Sequence, residues 1–211
     1  MQLSKHKHSC VRFDDGDRTL VIDPGMFSDV DTALDGADGV LITHEHFDHL
    51  AEEPVRAALR ADPRLRLWAP APVAATLAEF GDQVVTIGAG ESFGAAGFAV
   101  QTFGGQHALI HPQIPIVANV GFLVDGTVYH PGDSFVVPPV PVATLLLPAN
   151  APWSKMSEVI DFAVAVRAPR AYPIHDSMVN EAYTTILQRS LVPIVERFDI
   201  EFTAWDAPVT A

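Results

Sequence analysis

The sequence predicts an α/β fold in which strands and helices alternate around one sizeable core. Short apolar runs typical of strands are separated by segments whose apolar residues recur at helical spacing. Histidine and aspartate residues follow several of these runs directly, at the strand ends where open α/β sheets bind their ligands. With 211 residues, 48% of them hydrophobic and 18% charged, the chain can form one globular domain covering residues 1–211.

The predicted strands include two hairpins. Turn-forming residues join the strands of each hairpin, Asp14-Asp15-Gly16-Asp17 in the first and Asp125-Gly126 in the second. The predicted strands cover residues 9–13, 19–23, 39–43, 65–68, 84–87, 91–93, 98–103, 116–124, 127–130, 143–147, 171–174 and 198–202.

Helices are predicted where apolar residues recur three and four positions apart. The clearest case is 157–168, in which Val159, Phe162, Ala163 and Val166 share one face and Pro169 ends the helix. The predicted helices cover residues 29–37, 50–61, 72–80, 157–168 and 178–188, with the last reaching 197 if it continues past a break near Pro193. The tail from Ala207 is predicted to be frayed.

Composition excludes several classes of function. The formal net charge is −13 and the pI about 4.9, so the chain lacks the basic footprint of a nucleic-acid-binding protein. The N-terminus has no apolar signal segment, and no run approaches the length of a membrane span. We therefore expect a cytoplasmic protein without a membrane partner. Cys10 is the only cysteine, which excludes an intramolecular disulfide and favours a buried, inert thiol.

The segment from Thr43 to Leu50, T-H-E-H-F-D-H-L, carries the strongest functional signal. It places three of the nine histidines within six residues, directly after a predicted buried strand. Strand side chains alternate, so His44, His46 and Asp48 lie on one side, and His49 joins them if the chain turns at Asp48. An accidental cluster or a terminal tag explains the segment poorly, because a strand precedes it. Imidazole beside carboxylate favours a hydrolytic metal site over a structural thiolate site.

His107, Asp133 and His175 also stand at the ends of predicted strands. Each has an ordinary local explanation, and an aspartate in a turn is usually a cap. Together with the histidine segment, however, they make seven candidate ligands at one sheet edge, too many for one tetrahedral zinc and suited to two metals. The division we expect is His44, His46 and His107 for the first metal, Asp48, His49 and His175 for the second, and Asp133 as the bridge.

The segment from Thr43 to His49 resembles the T-H-x-H-x-D-H signature of the metallo-β-lactamase-fold hydrolases. His107, Gly132-Asp133-Ser134 and Ile174-His175 follow in the order of that family, and the similarity covers about residues 8–176. The resemblance implies a four-layer αββα sandwich with the metals at one edge between the sheets. Asp23 is similar to the aspartate of the family's first motif, which implies that it supports the histidine loop.

The resemblance implies a metal-dependent hydrolase with two divalent ions, zinc by default and manganese or iron as alternatives. A metal-activated water would attack a small ester, lactone or phosphoester, and Asp48 would orient that water and accept its proton. The compact length and His8-Ser9 before the first strand resemble the subgroup around L-ascorbate-6-phosphate lactonase. Weaker candidates for substrate contact are His8, Ser134 and Lys155, each of which is otherwise a solvated or turn-capping side chain. We expect a small-molecule substrate, and the sequence is compatible with a homo-oligomer.

Two other classes of function stay open at this point. Diiron flavoproteins of this fold are redox enzymes, but they carry glutamate at the position of His46, and no flavin-binding domain follows here. A non-catalytic binding protein is the other alternative, although such relatives usually lose ligands and all seven positions are filled in this chain. The sequence assigns neither the bond that is cleaved nor the acid that protonates a leaving group.

Overall fold

Two mixed seven-stranded sheets form the centre of the computed structural model, which describes residues 1–205 and 207–211. The first sheet contains β1 (Gln2–Lys5), β2 (Val11–Asp15), β3 (Arg18–Ile22), β4 (Gly39–Leu41), β5 (Arg66–Ala69), β6 (Val84–Thr86) and β14 (Val209–Thr210), in the order β14-β1-β2-β3-β4-β5-β6. The second contains β7 (Ser92–Ala95), β8 (Phe98–Gly104), β9 (Val120–Val124), β10 (Val128–His130), β11 (Thr144–Pro148), β12 (Arg170–Ile174) and β13 (Glu201–Phe202), in the order β13-β12-β11-β10-β9-β8-β7.

Helices cover the outer face of each sheet. They are α1 (Val30–Leu34), α2 (Glu52–Ala61), α3 (Ala71–Thr76), α4 (Met156–Val166) and α5 (Glu181–Val195), with 3₁₀ turns at Ala78–Gln83 and Glu196–Phe198. Helices α1, α2 and α3 pack on the first sheet, and α4 and α5 pack on the second.

The alternation of side chains along the strands separates the core into three layers. In β3, Leu20 and Ile22 face the other sheet, whereas Val21 faces the helices. The inter-sheet core joins β3 residues to Phe122 and Leu146 of the second sheet. The order of layers is therefore helix, sheet, sheet, helix, and the expected four-layer αββα sandwich is confirmed.

Strand direction decides which loops meet. Strands β3, β4, β5 and β6 are parallel, and β2 runs antiparallel to β3, with Val11 opposite Ile22. The start of β2 therefore lies at the same edge as the ends of β3 and β4. In the second sheet, β10, β11 and β12 are parallel. The backbone N–H of His175 donates to the carbonyl of His8 over 3.1 Å, which joins the two sheets at this edge.

The structure corrects the sequence expectations mainly at the two termini. The tail predicted to be frayed contains β14, in which Thr210 pairs with Gln2 of β1, a strand that was not predicted. Pro193 does not break its helix, because it lies within α5. Strand β9 begins at Val120 instead of 116, and the strand expected at 198–202 is reduced to β13 after a 3₁₀ turn. Among the described residues, no helix is both long and apolar enough to cross a membrane.

Candidate metal centre

Six loops bring ligand-type side chains to one edge of the sandwich. Asp23 follows β3, the histidine segment follows β4, His107 follows β8, Asp133 follows β10 and His175 follows β12. His8 arrives from the opposite direction, just before β2. The sheet topology thus explains why residues far apart in the sequence meet here.

A sharp turn aims the histidine segment inward. The backbone N–H groups of His49 and Leu50 both donate to the carbonyl of His46, at 3.0 and 2.9 Å. His44 and His49 are consequently buried, while Phe47 between them stays exposed. Gly25 packs beneath the turn so closely that a Cβ there would lie 1.8 Å from the carbonyl oxygen of Asp48. Only glycine permits this approach.

The candidate ligands form two groups. Within each group, one donor atom per residue lies within 4.8 Å of all the others. The first ligand group contains His44, His46, His107 and Asp133, and the second ligand group contains His8, Asp48, His49 and His175. The seven expected ligands are therefore brought together, and His8, which was expected as a substrate contact, is an eighth donor.

Asp133 lies between the two groups. Its Oδ1 is 3.0 Å from Nε2 of His49, and its Oδ2 is 3.3 Å from Nε2 of His107 and 3.1 Å from Nε2 of His175. One carboxylate thus reaches both groups, as a bridging ligand must.

Several of these donor atoms are buried without a hydrogen bond, although they lie close together. In the described part of the chain they include Nε2 of His49, Nε2 of His107, Nε2 of His175 and Oδ1 of Asp133. Burying unpaired lone pairs is costly, and native proteins rarely leave them unsatisfied. Divalent cations would satisfy all four atoms, and a set of imidazole and carboxylate donors fits zinc, manganese or iron. The residues present therefore fit a pair of metal ions.

Hydrogen bonds on the opposite ring nitrogens fix three of these imidazoles. Nδ1 of His107 lies 2.6 Å from the carbonyl of Ala108, and Nδ1 of His175 lies 2.7 Å from that of Asn150. Nδ1 of His49 lies 2.6 Å from Oδ2 of Asp23. Since Nδ1–H donates to an oxygen in each case, Nε2 carries the free lone pair that a metal requires.

Asp23 also organises the start of the loop. Its Oδ1 accepts from the backbone N–H of Thr43 over 2.8 Å, and its Oδ2 accepts from the Thr43 hydroxyl over 2.7 Å. That hydroxyl lies 2.9 Å from Nδ1 of His44. A single buried carboxylate thereby positions both ends of the histidine segment.

The charges of the site alter the titration of its histidines. Burial lowers the pKa of His49, but the carboxylates of Asp133 and Asp23 outweigh it and raise this pKa well above the ordinary value. Burial likewise opposes a charge on His175, yet its contacts with Asp133 and Asp48 raise the pKa to about 9. Burial and the nearby His49 lower the pKa of His44. Protons and metal ions therefore compete for the same nitrogens.

Three residues of the site have left-handed backbone conformations that side chains rarely adopt. The φ angles are +46° for His8, +52° for Asp23 and +58° for His175. Such strain persists only where surrounding contacts over-determine it, and it concentrates at functional sites.

The substrate-side candidates lie in different environments. His8 is fully buried, with Nε2 3.2 Å from Oδ2 of Asp48, so the expectation of a solvated side chain is wrong. The Ser134 hydroxyl donates to the carbonyl of Pro131 over 3.1 Å and acts as a turn cap. Lys155 is 80% exposed and lies 3.8 Å from Glu158 at the start of α4. Among the described contacts, no hydrogen bond or ion pair joins Ser134 or Lys155 to the ligand groups.

Sequence reasoning missed two residues that position Asp133. Nε1 of Trp153 donates to Oδ2 of Asp133 over 2.8 Å, and the Asn119 side-chain oxygen accepts from the Asp133 backbone N–H over 2.9 Å. Trp153 follows β11 at the edge of the sheet that carries the ligands, and this position was the one signal in the sequence that could have linked it to the site. Asn119 stands just before β9 and carried no signal in the sequence.

Comparison with known proteins places this geometry in context. The model of the β-lactamase superfamily domain matches residues 2–175. The protein Rv0786c of Mycobacterium tuberculosis is 38% identical over 184 residues, and the match covers 85% of each chain. Igni18, a metallo hydrolase of the archaeon Ignicoccus hospitalis, superposes with a TM-score of 0.73 at 16% identity over 99% of this chain and 97% of its own. CmlA, a diiron β-hydroxylase of Streptomyces venezuelae, gives a TM-score of 0.74 at 16% identity, over 100% of this chain and 53% of its own. At this identity the structural similarities show the fold.

Proposed function

Because the chain belongs to the metallo-β-lactamase superfamily, we propose that it is a metal-dependent hydrolase with a dinuclear centre that cleaves a small ester, lactone or phosphoester. Zinc is the default ion, and manganese or iron fits the same donors. The activity is proposed for residues 1–211 acting as one domain on a small-molecule substrate. The net charge of −13 supports a small substrate over a polynucleotide.

The observation that carries the proposal is the convergence of unpaired Nε2 atoms from two ligand groups on the one carboxylate of Asp133. Two-metal hydrolytic sites hold their ions roughly 3.5–4 Å apart and often bridge them by a carboxylate. Bound divalent ions supply a water nucleophile at neutral pH and polarise the electrophilic oxygen.

Asp48 is the residue best placed to orient that water. Its side chain is 14% exposed, whereas Asp133 is buried, and its Oδ2 lies 3.2 Å from His8 and 3.4 Å from His175. Burial raises the pKa of Asp48, but the contacts with His175 and His8 hold it far below its usual range. A carboxyl group with so low a pKa stays ionised. This suits binding a metal and orienting the water, but it makes Asp48 a poor acceptor of the water's proton, the other role expected from the sequence.

A redox function is the second candidate, since a diiron β-hydroxylase has the same fold. The donor set favours hydrolysis, because six of its eight members are imidazoles and two are carboxylates. Membership of the lactonase-like subgroup is a narrower proposal within the hydrolase proposal, and turnover of lactones would support it.

The test is metal analysis of the purified protein followed by a panel of lactones, phosphodiesters and thioesters. We expect about two metal ions per chain, as in two-metal hydrolases, and turnover that His46→Ala and Asp133→Ala both abolish. Oxygen consumption without hydrolysis would support the redox candidate. Less than about one ion per chain together with no turnover would contradict a dinuclear hydrolase.

A further inference from the structure

A cavity of about 530 Å³ lies beside the second ligand group. This volume is within the range of roughly 300–1,000 Å³ that is typical of sites for small organic molecules. Its walls include Lys5, Lys7, His8, Phe27, Met178 and Trp205. The cavity is separate from the bridging aspartate and has no role in the mechanism above.

His8 connects this cavity to the metal centre. It lines the cavity, and its Nε2 lies 3.2 Å from Oδ2 of Asp48 in the second ligand group. Its other ring nitrogen, Nδ1, is fully buried and has no hydrogen-bond partner among the described residues. Asp176, another wall residue, directly follows the ligand candidate His175. A molecule in the cavity would thus lie one side chain away from the reacting centre.

Two lysines and one aspartate, Asp176, line this cavity. The chain has three lysines, Lys5, Lys7 and Lys155, and two of them line the cavity although the net charge is −13. The cavity wall therefore carries more positive than negative charge, in a chain whose net charge is negative.

The two lysines differ in their freedom to bind. Nζ of Lys5 donates to the carbonyl of Pro173 over 3.0 Å and to Oδ2 of Asp176 over 2.5 Å. An ammonium group has three protons, so one remains for a ligand. Nζ of Lys7 lies 2.7 Å from Asp29, but the side chains of both are at least half exposed, and such surface pairs open at little cost.

Three wall residues are apolar, Phe27, Met178 and Trp205, and they lie beside the polar Asp176 and Ser177. Phe27 packs edge-on against His8 with ring centroids 5.2 Å apart, and Trp205 is anchored by a hydrogen bond of 2.8 Å from its Nε1 to the carbonyl of Pro173. Met178 is 48% exposed at the mouth. Aromatic and thioether groups beside ammonium groups suit a ligand with an apolar body and an anionic end.

We propose that this cavity is the subsite for the non-reacting end of the substrate and that it selects an anionic group, a carboxylate or a phosphate, carried on an apolar body. This inference rests on the proposed hydrolase function. It narrows the substrate class from any small ester, lactone or phosphoester to those with an anionic tail.

Calorimetric titration of the full chain with matched probes tests the subsite independently of turnover. The probes are 3-phenylpropionate, its neutral amide 3-phenylpropionamide, and phenyl phosphate, which distinguishes the two anions. We expect at least one anion to bind about 10-fold more tightly than the amide, which corresponds to one favourable charge interaction. Lys7→Ala should remove most of this difference without changing the metal content.

Arg64→Ala is the matched control. Arg64 is 90% exposed and precedes the first residue of β5, at the sheet edge opposite the ligand loops. The substitution removes one positive charge without altering the cavity, so we expect the affinity for the anions to stay unchanged. Binding of both anions no tighter than that of the amide, or equal loss of anion affinity in Lys7→Ala and Arg64→Ala, would overturn the subsite.

Kinetics separate this proposal from the hydrolase proposal. Two ester substrates are compared, one with a carboxylate tail and one in which that tail is a methyl ester. Lys7→Ala should raise KM about 10-fold for the ester with the carboxylate tail alone and leave kcat unchanged. Anion-selective binding that depends on Lys7, without turnover of any ester, lactone or phosphoester, would contradict the hydrolase and leave the anion site supported. Turnover with no Lys7-dependent difference between the esters would contradict the subsite and leave the hydrolase supported.

Discussion

The indole Nε1 of Trp153 donates a hydrogen bond of 2.8 Å to Oδ2 of Asp133. The same oxygen lies near Nε2 of His107 and Nε2 of His175, one from each ligand group. The indole therefore fixes the orientation of the carboxylate that the two groups share. Partners that orient a metal ligand in this way typically contribute about 10–100-fold to metal affinity.

Trp153→Phe should accordingly weaken zinc binding about 10-fold, because it removes the donor and keeps most of the ring. Competition against a chelating dye measures this affinity. Trp68→Phe is the matched control. Trp68 stacks on Phe93 in the inter-sheet core, so this substitution makes the same chemical change away from the ligands. If both variants bound zinc as tightly as the unaltered chain, the orienting role of Trp153 would be disproved.

Asp23→Asn should impair both folding and metal binding. An asparagine can accept from Thr43 N–H through its oxygen, but its NH₂ group then faces Nδ1 of His49. Nδ1 must become the acceptor, so the proton moves to Nε2 and blocks the lone pair that a metal needs. We expect a loss of about 1.5–3 kcal/mol in the free energy of unfolding, typical of a hydrogen bond to a charged group, and at least 10-fold weaker metal binding.

Asp38→Asn provides the comparison for Asp23. Asp38 also accepts a backbone N–H, from Thr19 over 2.9 Å, but it is exposed and precedes β4 at the opposite edge of the same sheet. Denaturant titration and metal affinity should both change little in this variant. A metal affinity of Asp23→Asn equal to that of Asp38→Asn would contradict the proposed effect on His49.

Metal stoichiometry should separate the two ligand groups. His107→Ala removes a donor of the first ligand group only, so we expect about one ion per chain to remain tightly bound, whereas Asp133→Ala should weaken both ions. Mass spectrometry of the metal content after dialysis measures this difference. His111→Ala is the control, because His111 is exposed in the loop after His107. Retention of two ions by Asp133→Ala would argue against its bridging position.

The metal-free protein should lose stability as the pH rises. His49 and His175 have pKa values raised by their carboxylate partners despite burial, to about 9 for His175. A histidine with a raised folded-state pKa stabilises fully below its unfolded value of about 6.5, and this contribution disappears as the pH passes the folded-state pKa. At pH 7.5 the histidines with lowered pKa values are already neutral in both states, so we expect the melting temperature to fall between pH 7.5 and pH 9.5, with about 2 kcal/mol lost for His175 alone.

Metal affinity should change in the opposite direction. Each ion must displace protons from these histidines, so zinc affinity increases as the pH rises from 6 to 9. Calorimetry in buffers of different ionisation enthalpy would measure the protons released. In metal-saturated protein the loss of stability between pH 7.5 and 9.5 should vanish, and its persistence would show that other groups cause it.

Local patterns in the sequence predicted most of the strands and the seven residues that the structure brings together as candidate ligands. Val21 and its neighbours identify a strand by their β-branched, apolar character, and the histidine segment combines rare residue types at close spacing. Both signals are contained within a few residues of chain. The helix around Val159 and Phe162 was predictable for the same reason.

What the sequence left out depends on tertiary pairing. Gln2–Lys5 becomes a strand only because β2 and β14 flank it, so its own residues contain little signal. The position of His8 near the terminus favoured a solvated side chain, yet the antiparallel direction of β2 places it against Asp48. Trp153 likewise acts on a residue 20 positions away, a relation that no local pattern encodes.

Gly25→Ala tests how tightly the histidine turn is packed. The added Cβ would lie 1.8 Å from the Asp48 carbonyl oxygen and 2.5 Å from the backbone nitrogen of His49, and a backbone cannot yield as a flexible side chain can. Overpacking of this kind costs about 1–3 kcal/mol or more, and here it also displaces two candidate ligands. We expect a lower melting temperature together with weaker metal binding. Gly94→Ala in β7 is the control, because its nearest atom would be 4.0 Å away, so its metal affinity should be unchanged. Normal zinc binding by Gly25→Ala would mean that the turn can shift without moving Asp48 and His49.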